Sequence, residues 1–465
     1  MSAVFQPTSE AGALHALPLL ALRDPQRPLI LRADGPVSAG DFVAQALALA
    51  AQLPAGRHAV NLCEDRYQFL LAFCAVVLAG QTNLLPASRA ALAVADVLQA
   101  YPGSYAIGDR PEFAIAPYFR IPAPAAGAAA GADISMPQIA GNHVVAIGFT
   151  SGSTGVPKPN AKTWASVCAS SALNAVLLGV DGEQVSIVAT VPPQHMYGLE
   201  MSVLLPLRSC AAIHSGQPFF PADIAQALSE TAAPRILVTT PFHLRTLLQA
   251  DIALPPLRAI VTATAPLDAE LAATAERRFG APVNEVFGST ETCVIAQRRA
   301  SRDEPWQLYP GIELQPQPDG TLVHAPHFAA PTLLQDIVEL LPDKRFVLRG
   351  RNSDLLEIAG KRASLADLTR QLLGIEGVAD GVVFQLDADE RGLRRLAALV
   401  VAPDLDEARI IAALRAAIDP VFLPRPLRRV DALPRNGAGK LPREALLGAL
   451  VGRGEKAEGR GKSRI

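Results

Sequence analysis

Short apolar segments alternate with helical patterns through the middle of the chain, and this alternation limits the possible folds more than any other feature. Residues 143–149 form an apolar segment of strand length, and a helical pattern begins near Thr163. Strands that alternate with helices usually pair in parallel and are covered by helices on both faces. We therefore predict an α/β fold with further strands at residues 185–191, 235–240, 258–264 and 282–287, and helices at 241–249 and 268–279.

The pattern changes near residue 351. From there, the sequence predicts two helices and three strands within about a hundred residues, which is the size of a compact α+β unit. We therefore predict a large N-terminal domain of mainly parallel sheets flanked by helices (residues 1–351) and a small, mobile C-terminal α+β domain (residues 354–451). Residues 452–465 are polar, basic and rich in glycine, so we expect a disordered tail.

Composition excludes several classes of function. A formal net charge of −2 over 465 residues offers no broad cationic surface, so we expect no nucleic-acid partner. The five cysteines include no Cys-x-x-Cys pair, which argues against a disulfide framework and favours a reducing, cytoplasmic location. The most apolar stretch, residues 69–79, is too short to cross a bilayer. We therefore expect a buried helix there and no stable membrane insertion.

The segment FTSGSTGVPK, residues 149–158, carries the strongest functional pattern in the chain. Its glycines allow sharp turns that expose backbone N–H groups, its hydroxyl side chains add donors, and a lysine follows. It is not a Walker A loop, because no Gly-Lys-Ser/Thr triplet is present. A glycine- and serine-rich surface turn is the alternative interpretation. We predict a phosphate-binding loop between a buried strand and a helix, formed by Thr150, Ser151, Gly152, Ser153, Thr154, Gly155 and Lys158.

The same segment resembles the phosphate-loop signature of the adenylate-forming superfamily, which includes acyl- and aryl-CoA synthetases, peptide-synthetase adenylation domains and firefly luciferase. The resemblance implies ATP and Mg²⁺ as cofactors, a small carboxylic acid as substrate, and CoA or a phosphopantetheinyl carrier protein as the thiol acceptor. It covers residues from about 30 to about 450, because further motifs follow in the order of that family.

Residues 284–291, NEVFGSTE, resemble the YGxTE motif of the family. By this resemblance, Phe287 stacks on adenine, Gly288 permits a tight turn and Thr290 contacts the α-phosphate. Glu291 is the predicted Mg²⁺ ligand and a catalytic residue, since a carboxylate suits a nucleotide-bound magnesium ion. Taken alone, the segment is equally compatible with an ordinary strand and turn.

Four more motifs complete the predicted site. His195 in VPPQHMYGLE is expected near the substrate carboxylate, and Asp336 corresponds to the family's ribose-binding aspartate. Arg351 in GRNSDLLEIAGKR is expected to contact the ribose or phosphate. Lys440 in PRNGAGKLPR corresponds to the lysine that stabilises the transition state. The alternatives are a loop histidine, a surface aspartate and a solvated loop lysine.

Two positions depart from the family pattern. Residues 262–267 read TATAPL where a glycine-rich turn is usual, so side chains are expected to narrow that pocket. Ser353 occupies the position of the usual hinge aspartate. A hinge needs to absorb dihedral change rather than keep one chemistry, so the substitution is tolerable.

Residues 78–88, 157–164 and 360–365 resemble the branch found with aryl-polyene and xanthomonadin pigment clusters. That branch implies pigment biosynthesis and an aryl acid such as a hydroxybenzoate. Three alternatives stay open at this point: a fatty acyl-CoA or acyl-carrier-protein ligase, a different acyl partner such as an amino acid, and a non-catalytic member that binds nucleotide and acyl group as a regulator.

Overall fold

The computed structural model describes residues 15–21, 24–86, 89–111, 115–122, 135–150, 158–317, 320–351, 355–358, 361–388, 394–436 and 439–451. The chain forms two compact units. Unit 1 contains Met1–Glu304, Tyr309–Ile312 and Ala325–Ala330, and unit 2 contains Pro305–Leu308, Glu313–His324 and Pro331–Ile465. The predicted boundary at residues 351–354 stays a prediction, and residues 352–354 lie outside the described part.

Unit 1 is an α/β structure. Its strands are β1 (Leu17–Pro18), β2 (Pro28–Leu31), β3 (Val37–Ser38), β4 (His58–Asn61), β5 (Thr82–Leu85), β6 (Tyr105–Gly108), β7 (Tyr118–Arg120), β8 (Gln138–Ile139), β9 (Val144–Thr150), β10 (Lys158–Thr163), β11 (Val185–Ala189), β12 (Ala211–His214), β13 (Arg235–Thr239), β14 (Ala259–Thr262), β15 (Val283–Ser289) and β16 (Cys293–Arg298). Its helices are α1 (Ala39–Ala50), α2 (Arg66–Leu78), α3 (Ala91–Ala100), α4 (Trp164–Leu177), α5 (Met196–Leu199), a π-helical segment (Glu200–Leu204), α6 (Leu205–Arg208), α7 (Pro221–Ser229), α8 (Pro241–Gln249) and α9 (Ala269–Phe279).

Two sheets organise unit 1. One has the order β10-β9-β5-β4-β6-β7, and β5, β4, β6 and β7 are parallel to one another. In the other sheet the unit 1 strands follow the order β16-β15-β14-β13-β11-β12-β2-β3, and β15 through β2 are parallel. Helices α7, α8 and α9 bury apolar residues against this second sheet. The predicted α/β class with mainly parallel sheets is confirmed.

Helix α2 shows how the sequence specifies these elements. Asp65 caps its first turn by accepting from the N–H of Gln68, and the helix ends just before Gly80, whose φ of 72° suits a residue without a side chain. Nearly every residue between them is buried, so the prediction of a buried helix is confirmed. Within the described residues, no helix is long and apolar enough to cross a membrane.

Unit 2 carries the predicted C-terminal α+β pattern. Its strands are β17 (Trp306–Leu308), β18 (Glu313–Gln317), β19 (Gly320–His324), β20 (Thr332–Leu334), β21 (Asp336–Leu341), β22 (Arg345–Arg351), β23 (Leu355–Ile358), β24 (Lys361–Ser364), β25 (Asp380–Ala388), β26 (Arg394–Val401) and β27 (Leu427–Arg429). Its helices are α10 (Leu365–Leu373), α11 (Glu407–Ala417), a 3₁₀ turn (Pro420–Phe422) and α12 (Arg443–Val451). The sheet β25-β26-β27 carries α10 and α11 on one apolar face and α12 on the other.

Candidate functional site

The predicted phosphate loop connects two paired strands. Strand β10 runs antiparallel to β9, and Lys158 pairs with Thr150 at the end of the hairpin that leads into the loop. Lys158 is exposed. The loop residues Ser151, Gly152, Ser153, Thr154 and Gly155 lie outside the described part of the chain, so their role stays a prediction.

The helix predicted from about Thr163 is confirmed as α4, but the sequence did not predict the strand that precedes it. Strand β10 separates the loop from α4, whose first turn is capped by Thr163. The motif therefore connects two antiparallel strands and does not stand at a helix N-terminus. The signal that could have predicted β10 is weak, because its sequence, KPNAKT, is polar and contains a proline.

The second motif forms a tight turn between β15 and β16. Gly288 is required there, since a Cβ atom at this position would lie 2.0 Å from the carbonyl oxygen of Cys293. Thr292 Oγ1 accepts from the N–H of Ser289 at 3.1 Å, which closes the turn internally. Phe287, Thr290 and Glu291 are all half-buried on this short segment, so the structure brings the four predicted residues of the motif together.

Three motifs converge at Gly148, near the end of β9. A Cβ atom built on Gly148 would lie 3.0 Å from Thr290 Cγ2 and 3.6 Å from Met196 Cε. Met196 follows His195, the half-buried residue at the start of α5. The strand that enters the predicted phosphate loop, the turn with Thr290 and the segment with His195 therefore meet at Gly148.

Sequence analysis missed two buried charges beside this turn. Lys162 is 6 % exposed and donates from Nζ to the backbone carbonyl of Glu291 at 2.5 Å. Glu200 is 1 % exposed, and its carboxylate accepts from the N–H of Val294 at 3.0 Å. Burial raises the pKa of Glu200, and the hydrogen bonds and the charge of Lys162 oppose that rise. A buried ammonium group thus bonds to the β15–β16 turn at Glu291, and a buried carboxylate bonds to it at Val294.

A buried arginine supports the segment that precedes His195. Arg66 is fully buried, and its Nη2 donates to the carbonyls of Ala189 at 2.8 Å and Val191 at 2.9 Å. Burial lowers the pKa of Arg66 to about 9. The carbonyl oxygens substitute for water around the guanidinium, which fixes the end of β11 where the chain turns towards His195.

A row of threonines crosses the carboxyl ends of three neighbouring parallel strands. Thr239 pairs with Thr262 in the β13–β14 register, and Thr190 Oγ1 lies 3.1 Å from Thr239 Oγ1. His243 stands beside the row with Nδ1 at 2.9 Å from Thr240 Oγ1. His243 Nε2 and Thr262 Oγ1 are buried and have no hydrogen-bond partner within the described residues. Ligands of parallel α/β sheets bind at this edge.

The altered TATAPL turn is held in an unusual conformation. Thr264 is exposed and has a φ of 80°, a region that a β-branched residue rarely adopts. The turn is tied to β15, because the buried carboxylate of Glu285 accepts from the N–H of Leu267 at 3.0 Å and pairs with Arg298 at 2.6 Å. Side chains therefore do occupy the turn where glycines were expected.

Three predicted residues lie in unit 2. Asp336 and Arg351 are cross-strand partners at the ends of β21 and β22, so the two predicted ribose contacts are neighbours. Lys440 is exposed, and its backbone groups exchange hydrogen bonds with Asn436 in a tight turn. Ser353 lies outside the described residues.

The residues of the turn fit a nucleotide-bound Mg²⁺ ion. Such an ion takes one or two carboxylates and completes its shell with phosphate oxygens and water. The hydrogen bonds of Glu291 within the described chain use its backbone N–H and C=O groups, which leaves its carboxylate to a ligand. The described residues contain no cluster of three or more His, Cys, Asp or Glu side chains that could hold a metal without phosphate.

Two comparisons of the sequence with known proteins indicate the same family of enzymes. The sequence profile of the family described as AMP-binding enzyme matches residues 22–318. A 4-coumarate–CoA ligase from Cereibacter sphaeroides is 30% identical over 298 residues, which are 63% of this chain and 69% of that protein.

Two solved structures share the fold over almost their whole length. The o-succinylbenzoate-CoA synthetase of Bacillus subtilis, in complex with its acyl-adenylate intermediate, has a TM-score of 0.78 at 18% identity and covers 93% of this chain and 98% of its own. ATP-bound MatB from Rhodopseudomonas palustris has a TM-score of 0.76 at 20% identity, with 91% and 96% covered.

Proposed function

Because this chain belongs to the AMP-binding enzyme family and is an AMP-forming acid–thiol ligase, we propose that it activates an aryl acid, such as a hydroxybenzoate, and passes it to a phosphopantetheine thiol. The acceptor is CoA or a carrier protein. The observation that carries the proposal is the convergence of the phosphate-loop hairpin, the Thr290 turn and the His195 segment around Gly148.

In the proposed first step, the acid's carboxylate attacks the α-phosphorus of ATP and pyrophosphate leaves. The loop from Thr150 to Lys158 holds the outer phosphates, Thr290 contacts the α-phosphate and Phe287 covers the adenine. Asp336 and Arg351 hold the ribose, and His195 lies near the carboxylate. Lys440 offsets the charge that develops in the transition state. When bound through Glu291, Mg²⁺ supplies charge neutralisation at the phosphates.

In the proposed second step, the thiol attacks the acyl carbonyl and AMP leaves. The family resemblance implies that the small C-terminal domain predicted at residues 354–451 rotates about residues 351–354 between the steps. That rotation would replace Lys440 by the lining of a thiol tunnel. Both steps depend mainly on positioning and electrostatics.

Two observations support an aryl acid with a polar substituent. A relative at 30% identity is named 4-coumarate–CoA ligase. In this chain, His243 packs edge-on against the rings of Phe219 and Phe242, and its Nε2 has no partner within the described residues. The ring of an aryl acid would pack beside these aromatic side chains, and a hydroxyl group on that ring would pair with Nε2. This pairing is favourable because a buried polar atom costs free energy until it has a hydrogen-bond partner. We also propose that the chain belongs to the branch found with aryl-polyene and xanthomonadin pigment clusters.

Acid-dependent exchange of labelled pyrophosphate into ATP tests the reaction. We expect exchange with hydroxybenzoates or cinnamates, and thioester formation when CoA or a phosphopantetheinylated carrier protein is added. Exchange with fatty acids alone would favour the fatty acyl alternative. ATP binding without exchange on any acid would favour a non-catalytic member of the family.

His243→Phe tests the substrate class. The variant keeps the aromatic packing and removes the hydrogen-bonding nitrogens, so the preference for hydroxybenzoate over benzoate in exchange should fall about tenfold. An unchanged preference would exclude His243 from substrate recognition.

A further inference from the structure

Lys162 is buried in a strand that is otherwise exposed or half-buried. Lysine is rarely buried without a partner, and the remaining residues of β10 follow a pattern typical of a surface strand. The pairing with β9 shifts register between Lys162 and Thr163. Irregularities of this kind redirect a side chain, and here the redirected ammonium group reaches the carbonyl of Glu291.

Glu200 contacts the other side of the same turn from a different element. It begins the π-helical segment between α5 and α6, and such segments are rare and are often found at functional sites. Its carboxylate accepts from Val294 N–H, from Ser170 Oγ at 2.6 Å and from Asn174 Nδ2 at 3.3 Å. Tyr309 extends the network, since its hydroxyl donates to Asn174 Oδ1 at 3.1 Å.

We propose that Lys162 and Glu200 are positioning residues that fix the turn of Thr290 and Glu291 for nucleotide binding. The inference rests on the proposed function and goes beyond it. Lys162 restrains the turn at Glu291, Glu200 restrains it at Val294, and the charge of each reduces the cost of burying the other. Because Lys162 lies in β10, the strand that leaves the predicted phosphate loop, the pair also fixes the turn relative to the β9–β10 hairpin.

Lys162→Met and Glu200→Gln test this inference through the affinity for Mg·ATP, measured by titration calorimetry. Each variant should bind Mg·ATP about tenfold more weakly, because one restraint on the turn is lost. The double variant Lys162→Met/Glu200→Met should recover part of the melting temperature lost in each single variant, since removing both charges leaves neither of them buried without the other. It should not recover ATP affinity. Lys162→Arg, which keeps the donor, should retain part of it.

Glu276→Gln is a closely matched control in the same unit. Glu276 also accepts from a backbone N–H (Val283), a serine hydroxyl (Ser301) and a cation (Arg299), but it does not contact the turn. We expect a lower melting temperature and unchanged ATP affinity. ATP affinity that follows melting temperature in all variants, including recovery in the double variant, would overturn the inference. Normal ATP binding without pyrophosphate exchange in the unaltered protein would instead overturn the proposed reaction.

Discussion

At the residue scale, the acidic side chains in and beside the candidate site differ in their burial and in their hydrogen-bond partners. Glu291 keeps its carboxylate available, whereas Glu285 and Glu200 are buried and bonded to backbone N–H groups. The sequence places all three within motifs, but only burial and partners separate the proposed ligand-binding carboxylate from the two that bond to the turns.

Replacement of Glu291 by Gln should raise the Mg²⁺ concentration that pyrophosphate exchange requires. The amide keeps the size of the side chain and removes the charge that attracts Mg²⁺, so the Mg²⁺ concentration for half-maximal exchange should rise about tenfold. The melting temperature should change little, because the hydrogen bonds of Glu291 use its backbone. A large loss of stability with unchanged magnesium dependence would assign Glu291 a structural role.

His243 should make stability depend on pH. Burial lowers its pKa from 6.5 to about 4, so the folded protein excludes a proton that the unfolded chain accepts. The resulting stabilisation is complete above pH 6.5 and is lost as pH falls towards 4. It amounts to about 3 kcal/mol of unfolding free energy. The unfolding free energies of the unaltered protein and of His243→Leu, each determined at pH 7 and at pH 4.5, measure this loss. The acid-induced loss should be smaller in the variant, and equal losses would contradict this assignment.

At the element scale, the turns between strands carry most of the predicted chemistry. The β15–β16 turn is the clearest case, because its hydrogen bonds are local and its pairing shifts register between Phe287 and Gly288. In the hairpin β9–β10, the paired strands hold the two ends of the predicted phosphate loop.

Gly288→Ala should disrupt the turn. The added Cβ atom would lie 2.0 Å from the carbonyl oxygen of Cys293, so the backbone must move and carry Thr290 and Glu291 with it. We expect at least a hundredfold loss of exchange activity, on the order of the effect of misplaced binding groups. Gly280→Ala is a control for glycine substitution, since nothing lies within 4 Å of a Cβ atom there. It should lower stability through its φ of 64° and leave exchange intact.

At the scale of the whole molecule, the α/β alternation predicted the class of unit 1, and the pattern beyond residue 351 predicted α10, α11 and the sheet β25-β26-β27 of unit 2. The strands β17 to β24 and helix α12 were not predicted. The apolar periodicity of strands such as β11 and β13 made this possible, because it reports burial directly. Strand β10 was missed since its sequence is polar, and the roles of Lys162 and Arg66 were missed because burial of a charge depends on contacts distant in sequence. Motif order located the candidate site, but the partners of its residues required the structure.

Lys440 lies in unit 2 and the β9–β10 hairpin lies in unit 1. We therefore expect that the effect of Lys440 on the reaction can be measured separately from the effect of the hairpin on ATP binding. Lys440→Ala should abolish pyrophosphate exchange, because the developing charge loses its counter-ion, while ATP affinity changes less than about threefold. Titration calorimetry and exchange assays measure the two quantities on the same protein. Equal losses in both would contradict a role in the transition state.

The central claim is that the carboxylate of an aryl acid attacks the α-phosphorus of ATP. The most direct test supplies a hydroxybenzoate with ¹⁸O in its carboxylate, together with ATP and the thiol, and analyses the products by mass spectrometry. We expect one ¹⁸O atom in AMP and unlabelled pyrophosphate, since the carboxylate oxygen remains on phosphorus when the thiol displaces AMP. Label in inorganic phosphate, with ADP as the nucleotide product, would show attack at the γ-phosphorus and exclude an acyl-adenylate.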